Sequence, residues 1–298
     1  MVVLGDSQTY GTNLNLGETY PSQLQALRGS PVVNLGLGGY GPIQWMALCD
    51  RALSLEPETL VIGLYLGNDL IDAHRFAELE AWASLRNPDL LYPTDPGAAR
   101  PNKPAPNLTM AALDGLFEHS ILLGAAAEEL KRRMRLSPLF GDLQWQESGA
   151  PSWTEGRIAT HFTPRYRLQA VDMELPAVRD GLRVLRVCLE GIAESCAPRG
   201  TRIVVLLLPT KERCYADLSL SRSLELVPDL ERLRAAEADS TRRIVELLDE
   251  LGIETVDPVP EILAELDADR PLWPSHADGH SNPAGAALLA RCLQERLE

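Results

Sequence analysis

Short apolar runs alternate along the chain with longer segments in which apolar residues recur every three or four positions. The runs are Val2-Val3-Leu4, Val32-Val33, Leu60-Val61-Ile62, Ile203 to Leu208 and Ile253 to Val256. Short, mostly β-branched runs of this kind mark strands buried on both faces, as in a parallel sheet. From Val178 the residues Leu182, Leu185, Leu189, Ile192 and Cys196 follow at spacings of four and three, and Gly200 then stops the pattern. That spacing lines up one face of a helix. Ile244, Leu247, Leu248 and Leu251 repeat it, with Gly252 as a C-cap. Asn282 and Pro283 open a last helix with Leu289, Leu293 and Leu297 on one face. Proline is tolerated at a first helical position because that N–H has no intrahelical partner. Strands alternating with helices predict a mainly parallel sheet covered on both sides.

The rhythm breaks between about residues 76 and 165. Tyr92 to Gly97 and Pro101 to Pro106 read as loops, and a helix is expected from about Met110 to about Leu136. The stretch is read as an insertion between the third and fourth strands of one domain spanning 1–298. Two roles stand side by side: a structural helical appendage, or a lid and substrate wall near the strand ends, where open α/β sheets bind ligands. Trp82, Trp145 and Trp153 could stack on sugar rings or pack internally.

Composition narrows the function classes. Lys plus Arg total 28 against 42 acidic residues, a formal net charge of −14. Such a surface repels phosphate backbones and anionic lipid, which argues against nucleic acid as a partner. No apolar run is long enough to span a bilayer. Cys49, Cys188, Cys196, Cys214 and Cys292 form no zinc-like spacing, and an odd number argues against a disulfide framework. The first apolar run begins at Val2, almost without lead-in. A natural chain starting further upstream is therefore expected. As it stands the chain reads as cytoplasmic, and as extracytoplasmic if a segment precedes it.

Four polar motifs follow strands or precede the last helix. Gly5-Asp6-Ser7 ends the first strand; a serine there needs a base to become a nucleophile. Asn34-Leu35-Gly36-Leu37-Gly38-Gly39-Tyr40-Gly41 follows the second. Its glycines could present backbone N–H groups to a ligand, and its G-x-G-x-x-G match is weak evidence for a dinucleotide loop. Gly67-Asn68-Asp69 follows the third; the Asn68 amide could donate to a developing oxyanion. His276-Ala277-Asp278-Gly279-His280 precedes the last helix, and Asp278 is positioned to orient His280. His276 is a rival base but has no acidic residue two or three positions before it. His74, His119 and His161 read as structural or exposed, Asp6 and Asp69 as loop-fixing, and Lys211 as a solvated loop lysine. Each motif alone is a turn; in this order, all fall at one edge of a parallel sheet.

As a set they resemble the SGNH (GDSL) hydrolase superfamily over about residues 1–75 and 166–298. The resemblance implies a flavodoxin-like three-layer α/β/α sandwich with a five-stranded parallel sheet of order 2-1-3-4-5. It implies a carboxylic ester hydrolase using Ser7 as nucleophile, His280 as base and Asp278 as its partner. The oxyanion hole would comprise Ser7, Gly39 and Asn68, with no metal or organic cofactor. The implied substrate is a small-molecule or glycan ester, a small acyl or acetyl ester of a carbohydrate-like or lipid alcohol. Gly67 abuts Asn68 where the family commonly has Gly-x-Asn-Asp, and Asp278-Gly279-His280 is one residue shorter than its usual Asp-x-x-His. The shorter form, with Leu208-Pro209-Thr210-Lys211-Glu212, resembles the branch of polysaccharide O-acetyltransferases. Transfer to a polysaccharide or metabolite hydroxyl is therefore the alternative, and a non-catalytic carbohydrate-binding module a second.

Overall fold

The computed structural model describes residues 1–90, 152–222 and 226–297. The helix expected at about 110–136, both proline-rich loops, His119 and Trp145 lie outside these residues. In chain order the elements are β1 (Val2–Gly5), α1 (Ser7–Tyr10), α2 (Tyr20–Arg28), β2 (Val33–Asn34), α3 (Pro42–Leu53), β3 (Thr59–Tyr65) and α4 (Asp69–Ala77). From residue 152 come a hairpin of β4 (Ser152–Glu155) and β5 (Ile158–His161), then α5 (Pro164–Val171), α6 (Pro176–Cys196), β6 (Arg202–Leu208) and α7 (Lys211–Ser221). The chain ends with α8 (Pro228–Glu250), β7 (Glu254–Val256), α9 (Val259–Asp267) and α10 (Pro283–Leu297).

The five sheet strands are all parallel, in the order β2-β1-β3-β6-β7. This is the expected 2-1-3-4-5 order, with the antiparallel hairpin β4–β5 as a separate two-stranded sheet. Alternate residues of each strand enter opposite faces, because successive side chains in a strand point to opposite sides. Leu4, Ile62, Leu64, Val205 and Leu207 pack with Trp45 of α3, Leu185 and Leu189 of α6, and Leu233 and Leu247 of α8. Val3, Val61, Val204 and Leu206 pack with Leu24 of α2, Tyr215 of α7, Leu266 of α9 and Leu293 of α10. These two cores make the three-layer α/β/α sandwich. Cys49, Cys188, Cys196, Cys214 and Cys292 are free thiols buried in it.

One close approach sets up the nucleophile end. Gly5 and Gly63 are register partners on β1 and β3. A Cβ on Gly5 would lie 2.0 Å from Thr9 Oγ1, and one on Gly63 would lie 2.5 Å from the same atom. The missing side chains leave room for the buried Thr9–Tyr20 hydroxyl contact of 2.8 Å. That contact pins α1 and α2 against the carboxyl ends of the two central strands.

Candidate active site

β1 ends at Gly5, and the buried Asp6 turns the chain into α1, accepting the Gln8 N–H at 2.8 Å. Ser7 thus begins a helical turn at the carboxyl edge of the central strand, half-buried at the mouth of a cavity. The opposing wall is the segment 268–282, which contains no helix or strand. His280 Nε2 lies 2.8 Å from Ser7 Oγ, and His280 Nδ1 lies 2.6 Å from Asp278 Oδ1. The His280 backbone N–H also donates to Asp278 Oδ1 at 3.0 Å, and Asn13 Nδ2 donates to Asp278 Oδ2 at 2.6 Å.

The proton positions follow from the donors available. Burial pushes the Asp278 carboxyl up, but the charge and hydrogen bonds of His280 outweigh it and hold the group well below the usual carboxylate range. An ionised carboxylate only accepts hydrogen bonds. His280 Nδ1 therefore carries the ring proton and the Nε2 lone pair faces Ser7, so the serine hydroxyl donates to it. Asp6 Oδ2 competes for the Ser7 hydroxyl from 3.3 Å, the longer contact. Burial pushes the Asp6 carboxyl up to about 6, and the nearby Asp69 rises too, burial first and the Asp6 charge second. Asp69 anchors its own turn by accepting the Tyr65 N–H at 2.6 Å.

Asn68 lies just before α4 and lines the same cavity as Ser7 and His280, together with Tyr65, Thr163, Tyr166 and Arg167. That cavity measures about 130 Å³. Asn68 Nδ2 donates to Asp72 Oδ2 at 2.7 Å. Because a carboxylate can only accept, the contact fixes which end of the amide is nitrogen. The second N–H remains available to another acceptor. Arg75 in turn pairs with Asp72 at 3.1 Å. Gly39 lies at φ +82° on the wall of an adjoining cavity of about 280 Å³, which Asn68 and Tyr166 share. A Cβ on Gly39 would meet nothing within 4 Å, whereas one on Gly38 would lie 3.9 Å from Ser7 Cβ. The structure thus brings Ser7, His280 and Asp278 into contact and sets Asn68 on the same cavity, with Gly39 one cavity further out.

Several neighbours had no sequence signal. Gln8 donates to the Gly279 carbonyl at 3.0 Å across 271 residues. Arg167, 9% exposed, sits between the Tyr65 and Tyr166 rings at 5.5 and 5.2 Å. The Asn68–Asp72 pair could have been found, since side chains four apart on a helix meet. Lys211 corrects an expectation: it is wholly buried at the start of α7, not a solvated loop lysine. It lies where β6 delivers it, beside the His276–His280 segment. His276 points its Nδ1 at the backbone N–H of Asp278, 3.3 Å away, while His280 holds the contact to Ser7. His74 is buried against Asp180 at 2.8 Å. Trp153 packs on Tyr215, ring centroids 5.7 Å apart. Among the described residues no group of three or more His, Cys, Asp or Glu side chains could hold a metal ion, and no helix is long and apolar enough to cross a membrane.

No protein-family model matches the chain, and no curated protein matches it. Among solved structures it is similar to a lipolytic protein of the G-D-S-L family from Veillonella parvula DSM 2008, at 10% identity and a TM-score of 0.45 over 99% of this chain and 95% of that one. It is similar to an acetyl xylan esterase at 10% identity and a TM-score of 0.44, covering 100% of both chains. A catalytic mutant of an acetylxylan esterase from Geobacillus stearothermophilus is similar at 11% identity and a TM-score of 0.46, over 99% and 92%. TM-scores below 0.5 leave the chemistry of this chain to be read from its own side chains.

Proposed function

We propose that this chain is a serine esterase of the SGNH type that cleaves small acyl esters through an acyl-Ser7 intermediate. The observation that carries the reading is the unbroken line Ser7 Oγ–His280 Nε2 at 2.8 Å and His280 Nδ1–Asp278 Oδ1 at 2.6 Å. A hydroxyl, a ring with its lone pair facing that hydroxyl, and a carboxylate holding the ring's other nitrogen form the nucleophile–base–orienter arrangement of acyl transfer.

The reaction proceeds in two steps. His280 takes the Ser7 proton as Oγ bonds to the ester carbonyl carbon, and the carbonyl oxygen becomes an oxyanion. The Ser7 backbone N–H, the free Asn68 amide N–H and the Gly39 N–H are its donors. His280 then returns the proton to the leaving alkoxide as the carbon–oxygen bond breaks, which frees the alcohol. Water, deprotonated by His280, attacks the acyl-serine, and His280 returns that proton to Ser7 Oγ as the acyl carbon–Oγ bond breaks and the acid leaves. Asp278 stays ionised throughout and stabilises the imidazolium formed in each step. The cavity beside Ser7 suits a short acyl group such as acetyl.

The test is hydrolysis of p-nitrophenyl acetate and longer-chain esters by wild type beside Ser7→Ala. Wild type should turn over the short ester best, and Ser7→Ala should lose on the order of 10⁴-fold or more in kcat. Equal turnover by the variant would refute the assignment.

A further inference from the structure

Lys211 occupies a position that its chemistry disfavours twice. It is a cation in the first turn of an eleven-residue helix, where the helix dipole is positive, and its side chain is fully buried. Such a conflict persists where the charge is used for something. Its Nζ donates to Thr160 Oγ1 at 3.0 Å, to the His276 carbonyl at 2.7 Å and to the Asp278 carbonyl at 2.9 Å. Thr160 Oγ1 has its own proton committed toward the Pro274 carbonyl at 3.2 Å, so it accepts from the lysine. Three acceptors therefore converge on one nitrogen. An ammonium has three N–H groups to satisfy them and a neutral amine has two.

Two of those acceptors bracket the turn that carries the Ser7–His280–Asp278 line. We propose that Lys211 is a positioning residue that clamps the His276–His280 segment through its third proton, and that the clamp loosens when this proton is lost, which gives the enzyme an alkaline limit. The inference rests on the esterase reading for its activity readout, but not for its geometry.

The charges around the ammonium agree with a proton held only moderately. Glu212, next on the same helix, and Asp278 attract it, while Arg167 of α5 repels it. His276, whose carbonyl it binds, lies on the same turn. Glu237 of α8 stands behind Thr210, accepting its N–H at 2.9 Å. Burial is the largest influence and brings the Lys211 ammonium down to about 8.

The experiment compares wild type, Lys211→Met and Thr160→Val, each checked for folding by its thermal transition. Two readouts are followed from pH 6 to about 10: kcat and KM for p-nitrophenyl acetate, and the far-downfield proton resonance of the His280 Nδ1–H held by Asp278. In wild type both activity and the resonance should fall above about pH 8 and recover on return. Folded Lys211→Met should lose ~10²-fold in kcat with KM nearly unchanged, and its remaining activity should show no fall near pH 8. In Thr160→Val two carbonyls remain for a neutral amine's two N–H groups, so the alkaline fall should shrink. A wild-type profile and resonance level to pH 10, or a folded Lys211→Met with full kcat, would overturn the clamp. If Lys211→Met does not fold, the wild-type resonance and the Thr160→Val profile decide. A resonance that fades reversibly above pH 8 without any ester turnover would support the clamp and reject only the esterase reading.

Discussion

The two walls of the site are built in different ways. The Ser7 wall is made by the main chain: β1 runs directly into α1, with Tyr10 N–H bonded to the Asp6 carbonyl at 2.9 Å and Gly11 N–H to the Ser7 carbonyl at 3.1 Å. The His280 wall is irregular chain stitched down by side chains from elsewhere. Gln8, Asn13, Thr160 and Lys211 reach its backbone or its carboxylate, across 65 to 271 residues. A nucleophile set by local structure shares the fate of the sheet. A base set by distant side chains can be displaced while the sheet stays intact. Defects in the first wall should therefore appear as stability and activity lost together, and defects in the second as activity lost alone.

The sharpest break in that comparison is His280→Ala. It removes the base from the stitched wall without touching a core residue, so kcat should fall on the order of 10⁴-fold or more, because triad members act as a unit. The thermal midpoint should move by no more than about 2 °C. His276→Ala serves as the control: if it abolished turnover while His280→Ala did not, the base would be the rival histidine.

Asn68 tests the next largest effect. Asn68→Ala removes the amide donor and should cost about 10²–10³-fold in kcat. Asp72→Asn leaves the amide but removes the partner that dictates its orientation, so a smaller loss, about tenfold, is expected. Equal losses from both would mean that Asp72 has a part of its own in the reaction. A negligible loss from Asn68→Ala would leave the oxyanion to backbone donors alone.

The same contrast divides what is legible in the sequence from what is not. The strands were legible because short apolar runs between helical segments fit a parallel sheet; β1 and β3 are buried throughout, while the edge strand β2 leaves Val33 exposed. Ser7 and His280 were legible because each lies within three residues of a strand end or helix start. Asn13 and Gln8 were not, since their partners lie 265 and 271 residues away and nothing local marks them. Lys211 reads as solvated in the sequence, because a lysine after Pro-Thr carries no sign of three buried acceptors. Helices α2, α4 and α7 escaped the periodicity reading for a similar reason. Each is only nine to eleven residues long, and α7 buries Lys211 and Glu212 along with Tyr215, which blurs any apolar stripe. α8 runs from Pro228, well before the clear pattern at Ile244, with buried Glu237 and Ser240 on its inner face.

Gly5→Ala probes the main-chain wall. The new methyl would lie 2.0 Å from Thr9 Oγ1 and 3.1 Å from the Gly63 carbonyl oxygen. Overpacking of that kind costs about 1–3 kcal/mol, a drop of roughly 2–10 °C in midpoint for a chain of this size. Thr9 must move and Ser7 is two residues from it, so activity should fall with stability. A variant as stable as wild type but inactive would show that the two walls do not differ as described.

The smallest expected effect lies in the same wall and concerns pH. Burial pushes the Asp6 carboxyl up to about 6, with the Gln8 N–H, His280 and Ser7 pulling the other way. In the unfolded chain an aspartate titrates near 4. Between about pH 4 and 6 the native state therefore holds a proton that the unfolded state has released, and native stability declines as pH rises across that window. Above about 6 the decline is complete. Asp6→Asn removes this term while keeping an oxygen to accept the Gln8 N–H. It also relieves Asp69, whose carboxyl the Asp6 charge helps to push up, so both changes act with the same sign. The midpoint of Asp6→Asn minus that of wild type should grow from pH 4 to 6 and then level off. A difference that stays flat, or shrinks over that range, would mean that Asp6 ionises freely beside Ser7. The nucleophile turn would then carry a charged cap from pH 4 upward, and not only above about pH 6.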